Sequence, residues 1–139
     1  MMRKILGVIA LSVVSTLVQA DAQPVTVILT AQSGMTQGMA MVLANQMQAQ
    51  GAQVDILLCD QAGDLALQEH AGEPLKPNDV TPAQLLGAAM QKGASVSVCA
   101  LYLPNTGHAP DQLKDGVGVA MPDAMAAAML QPERRVFSF

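Results

Sequence analysis

Twice in this chain a stretch of helical composition stops at a glycine, and an apolar, β-rich run begins within two residues. Gly51 closes residues 35–50 and precedes QVDILLC (53–59), while Gly93 closes the segment after Thr81 and precedes SVSVCAL (95–101). Glycine in that position supplies the left-handed C-terminal cap that other residues resist. Helix, glycine, strand, repeated, is the pattern of βαβ units, so the sheet is expected to be mostly parallel with right-handed crossovers. PVTVILT (24–30) gives the opening strand, apolar on both faces as a strand between helix layers must be. Thr81-Pro82 reads as an N-cap followed by proline at the first helical position. Residues 117–119 give a short fourth strand, 122–130 a last helix, and RVFSF (135–139) a closing edge strand.

These elements sum to an α/β fold: a single flavodoxin-like three-layer sandwich with a mostly parallel five-stranded sheet. Neither a GxGxxG nor a P-loop fingerprint is present. Residues 60–80 and 104–116 read as irregular, apart from a short helix expected near 63–68. Both segments follow the carboxyl ends of strands, where open α/β sheets hold ligands.

The first twenty residues have the layout of a secretory signal: Arg3 and Lys4, an apolar run from Ile5 to Val18, and small residues around Ala20. The run is shorter than the ~20 residues that span a bilayer, so cleavage before Asp21 is expected, with no stable membrane anchor. The expected organisation is a signal peptide over 1–20 and one domain over 21–139, delivered to the periplasm. Loss of Arg3 and Lys4 leaves five basic residues against eleven acidic ones, a net charge of −6. With so few cations and aromatics, the chain lacks the phosphate neutralisation and stacking rings of a nucleic-acid binder. Phe, Tyr and Trp total three residues, so Val, Leu, Ala and Met must build the core.

Cys99 heads the candidates for chemistry. Along SVSVCAL, Val96, Val98 and Ala100 share one face and Ser97 and Cys99 the other. Cys99 thus ends an inner strand just before a loop, where a pocket and a helix N-terminus can activate a thiolate. The competing reading is a small buried hydrophobe, the usual fate of a free cysteine. Cys59 ends the second strand in the same way. If the strand order is 2-1-3, one strand separates the two backbones by roughly 9–10 Å, beyond the ~7 Å limit for a disulfide. On that reasoning no structural disulfide is expected.

His70 and His108 lie in the post-strand loops, and with Cys59, Cys99 and the methionines they raise a soft-metal alternative such as Cu(I). No CxxC, HxxxH or clustered Met motif supports it, so no metal or other cofactor is assigned. Met35, Met39 and Met47, like Met121, Met125 and Met129, fall at helical spacing and read as core filler replacing aromatics. Asp60 and Asp64 flank Gly63 and could serve acid–base work or simply form a turn. No Ser-His-Asp set can be argued.

VSVCALYLPNTG (96–107) resembles the DsrE/DsrF-like family, whose members carry a strand ending in V-x-V-C and, about half a dozen residues on, a glycine. VTVILTAQSG with the helix after it resembles that family's opening, and GVGVAMPDAMAAAMLQPERRVFSF its close. The resemblance implies a persulfide-bearing cysteine at Cys99, as in sulfur-relay members; Cys59, Asp60, Asp64, Asn105 and His108, by their place at the strand end and in the loops that follow, are accessory candidates. It also implies assembly as a homotrimer or hexamer and a sulfur-donor or acceptor protein as partner. Pro104-Asn105-Thr106 replaces the arginine that often precedes the family's glycine. The resulting expectation is an exported carrier or binding protein using Cys99 as a sulfur-accepting or redox-responsive thiol, rather than an independent enzyme. A periplasmic copper binder and a non-catalytic interaction module stand as alternatives.

Overall fold

A computed structural model describes residues 21–139. The signal peptide expected over residues 1–20 lies outside the described residues. Among the described residues, no helix is long and apolar enough to cross a membrane.

The chain runs β1 (Pro24–Leu29), α1 (Gly34–Ala49), β2 (Gln53–Leu58), a 3-10 segment (Asp60–Ala66), α2 (Pro82–Gln91) and β3 (Ser95–Cys99). It continues through α3 (Tyr102–Thr106), a 3-10 turn (Pro110–Gln112), β4 (Val117–Ala120), α4 (Pro122–Met129) and β5 (Arg135–Ser138). The five strands form one sheet in the order β4-β3-β2-β1-β5, and every pairing is parallel. The expected α/β architecture is thus present, with each expected strand within two residues of its predicted bounds.

Local chemistry explains the element ends. Ser33 caps α1 through its side chain, which accepts from the Thr36 N–H. Thr81 and Gln84 form a capping box at the start of α2, with Pro82 at the first helical position. Gly51 and Gly93 follow the two long helices at φ +88° and +95°, the left-handed conformation their positions require.

The order of the central strands corrects the 2-1-3 expectation. Right-handed crossovers fix the direction of each step once the helix's face is known, and α1 and α2 pack on the same face. Asn45 Nδ2 donates to the Leu85 carbonyl (2.9 Å), Gln48 Nε2 to that of Ala89 (3.1 Å), and Lys92 Nζ to Asn45 Oδ1 (3.0 Å). Both steps therefore run the same way, and β2 lies between β1 and β3. The return from β4 at one edge to β5 at the other reverses direction, so right-handedness carries α4 across the opposite face. That layer is thin: α4 buries none of its residues.

The core lies between the sheet and the α1–α2 layer. Val25, Val27 and Leu29 of β1, Val54, Ile56 and Leu58 of β2, and Val96 and Val98 of β3 meet Ala40, Met41, Ala44, Leu86 and Ala89. Met41 fills the role expected of other methionines. Met35, Met39 and Met121 are 77%, 50% and 62% exposed, because the inward face of α1 is centred on Gln37, Ala40, Met41 and Ala44. On the other face of the sheet, Arg134 Nη1 reaches Asp55 Oδ2 (2.5 Å) and Thr26 Oγ1 (3.0 Å), tying the turn before β5 to β1 and β2.

Candidate functional site

Because β2 and β3 are neighbours, their carboxyl ends bring Cys59 and Cys99 together. The register pairs Leu58 with Val98, so the cysteines are the next residues along two adjacent strands. Their Cα atoms are 5.2 Å apart and a disulfide joins them, within the distance range such bonds require. This overturns the expectation of two separated thiols, and the cause is the strand order.

Each cysteine backbone is also held from its far side. The Cys59 N–H donates to the Leu29 carbonyl of β1 at 3.0 Å, and Cys99 pairs with Ala120 of β4. Both residues are half-buried. A cleft of about 370 Å³ opens beside the bond, lined by Cys59, Asp60, Leu101, Tyr102, Asn105 and Thr106. Among the described residues, no lysine or arginine lines it.

Asp60 follows Cys59 directly, exposed and at φ +52°. A left-handed conformation is uncommon for non-glycine residues and is one that Asp tolerates better than most; here it starts the 3-10 segment. Asp64 lies one turn on and accepts a hydrogen bond from the Tyr102 hydroxyl at 2.6 Å. Asn105 lines the cleft but donates its amide to the Leu101 carbonyl (2.7 Å), holding α3. His108 stacks against the Tyr102 ring with centroids 6.0 Å apart.

The site residue absent from the sequence reading is Tyr102. Its signal was present: it is the chain's sole tyrosine, three residues after Cys99. It starts α3, a helix that runs into the stretch expected to be irregular from residue 104, and whose Pro104 sits in the first turn, where proline is tolerated. The ring lies over Gly63, where a Cβ would overlap the ring carbons. Burial, with the hydrogen bond and charge of Asp64, pushes the phenol well above its ordinary value.

The two post-strand loops are joined at further points. Gln68 donates to the carbonyls of Asp111 (3.1 Å) and Leu113 (2.8 Å). Lys114 Nζ donates to those of Leu65 (2.8 Å) and Leu67, and burial lowers its pKa.

The soft-metal set of Cys59, Cys99, His70 and His108 is not assembled. The cysteines are bonded to each other, and His70 and His108 line a separate cleft with Gln68, Glu69 and Asp111. Among the described residues, no three His, Cys, Asp or Glu side chains gather as a metal site would need. A larger cleft of about 840 Å³ lies at the carboxyl end of β1, lined by residues including Gln37, Gln61, Asp64, His70 and Glu73.

No protein-family model matches the chain, and no curated protein matches it. Solved structures do. The ychN protein from E. coli, a DsrE/DsrF-like structure, superposes with a TM-score of 0.70 at 17% identity, over 84% of this chain and 99% of that one. MTH1491 from Methanobacterium thermoautotrophicum, a protein of unknown function, gives a TM-score of 0.63 at 11% identity, over 86% and 100%. This chain is a small α/β protein with the fold of the DsrE/DsrF-like proteins.

Proposed function

We propose that this protein is an exported DsrE/DsrF-like sulfur carrier in which Cys99 is the accepting thiol and the Cys59–Cys99 disulfide is its resting, oxidised state. The observation behind this reading is the cysteine pair itself, set at the carboxyl ends of two inner strands beside an open cleft. That end of a parallel sheet is where α/β proteins place their reacting groups. Reduction of the bond frees Cys99. Its thiolate then attacks the outer sulfur of a persulfide donor, forming a Cys99 persulfide and expelling the donor as a thiolate.

Export fits a disulfide in a compartment where such bonds persist. Met35, Met39, Val42 and Leu43 leave an apolar surface on α1, which supports assembly with further copies as a trimer or hexamer.

The test is mass spectrometry of the reduced protein after exposure to a sulfane-sulfur donor. One sulfur atom should be gained on Cys99 and lost in Cys99→Ala. Equal labelling of that variant would refute the assignment.

A further inference from the structure

We infer that Cys59 is a resolving cysteine: its thiolate attacks the Cys99 persulfide, releases the sulfane sulfur as hydrosulfide and closes the disulfide seen here. The inference rests on the proposed acceptor role of Cys99 and adds the fate of the sulfur it accepts. In the step, the bond between Cys99 Sγ and the outer sulfur breaks and the Cys59–Cys99 bond forms. Cys59 supplies the electron pair of the new bond, and the pair of the broken bond leaves on the outer sulfur as HS⁻. No external oxidant takes part. A dithiol reductant must then reopen the disulfide before the next turnover.

Three features carry this assignment. First, the sulfurs stay within reach after the bond opens. Cys59 is held by the Leu29 carbonyl and Cys99 by its pairing with β4, neither of which depends on the disulfide. The Leu58–Val98 register directly before them fixes their separation. Second, the loops beyond the cysteines are pinned to each other through Asp64 and Tyr102 and through Lys114 and Gln68. The attacking thiolate is therefore pre-positioned, which makes an exchange effectively intramolecular and fast. Third, the cleft beside the bond, which Cys59 lines, holds Asp60 and, among the described residues, no lysine or arginine to neutralise a persulfide anion. A site built to store an anionic persulfide would be expected to neutralise it. This one favours its discharge.

The experiment uses reduced, desalted protein under anaerobic conditions with one equivalent of inorganic polysulfide, reading free hydrosulfide, free thiols and intact mass. Wild type should release hydrosulfide in step with loss of both thiols and keep no added sulfur. Cys59→Ser should keep one added sulfur on Cys99 and release hydrosulfide at least about tenfold more slowly, since only intermolecular exchange remains. Reduced wild type also lacks the crosslink, so the two proteins are matched in fold. Wild type that holds its added sulfur with Cys59 still free overturns the resolving role and leaves the carrier reading standing. A Cys59→Ser variant that gains no sulfur refutes the carrier reading itself. Should that variant not fold, the reverse step decides. Oxidised wild type in excess sodium hydrosulfide should open to one persulfide and one thiol, and failure to do so overturns the inference.

Discussion

Reduction of the Cys59–Cys99 bond should cost this domain a large share of its stability without dismantling the sheet. The bond closes a loop with a sequence separation of 40. Restricting the unfolded chain by a loop of that length contributes about 4 kcal/mol in the chain-entropy treatment. The native side changes little, since Cys59 and Cys99 keep their backbone partners on β1 and β4. For a domain of about 120 residues the unfolding entropy near the midpoint is about 250 cal/mol/K, so Tm should fall by about 15 °C. The assay is a far-ultraviolet circular dichroism melt with and without a phosphine reductant, accompanied by a free-thiol titration at each condition. The double variant Cys59→Ala/Cys99→Ala should melt near the reduced wild type and ignore the reductant. Oxidised and reduced proteins melting within about 3 °C of each other, with thiol counts of zero and two, would refute the loop-closure reasoning.

Tyr102 is the sole tyrosine and there is no tryptophan, so absorbance at about 295 nm follows one phenol; it should ionise well above the ordinary value of about 10, and Asp64→Asn should bring it partly back down. Because the folded pKa is raised, Tyr102 contributes fully below the unfolded value, and that contribution declines as pH rises above it toward the folded pKa; ordinary titration in folded protein would contradict this. Gly63→Ala should destabilise by roughly 1–3 kcal/mol in urea unfolding, because the new methyl overlaps the Tyr102 ring; a neutral effect would show that the ring is not seated there. Leu86→Ala, removing a fully buried side chain between α2 and the sheet, should cost about 2–5 kcal/mol by the same measurement, and a loss under about 1 kcal/mol would mean that the core lies elsewhere.

Residues with strong local chemistry made most of the fold legible. Gly51, Gly93 and Thr81-Pro82 act through their own backbone, so their effect is visible without knowledge of neighbours, and the βαβ pattern follows from them. Strand order is different. It depended on whether α1 and α2 share a face, and the groups that join them are Asn45, Gln48 and Lys92, polar residues that in a sequence read as helix surface. Misplacing one strand was enough to turn an adjacent cysteine pair into a distant one. The methionines misled for a related reason: α1 is apolar on both sides, so spacing alone could not say that Met41 faces the core and Met35 and Met39 face outward. Asp60, Asp64, Asn105 and His108 all lie in the segments after β2 and β3 that the sequence points to, but the contacts of Asp64 and His108 run through Tyr102. A single aromatic ring carries no periodicity, and its partner Asp64 is 38 residues away.

The position of β5 has a consequence for the order in which the molecule can be made. Strands β1 to β4 are laid down successively, each beside the one before, so a growing chain can add them as it emerges. The outer edge of β1 must wait. Its partner is β5, and the Thr30 hydroxyl bonds to a Phe139 carbonyl synthesised 109 residues later. Until then β1 presents an apolar strand edge with unpaired amides and carbonyls, a template for wrong pairing with another chain. Anything that binds the nascent chain productively should therefore cover β1, and should be released only when the last strand arrives.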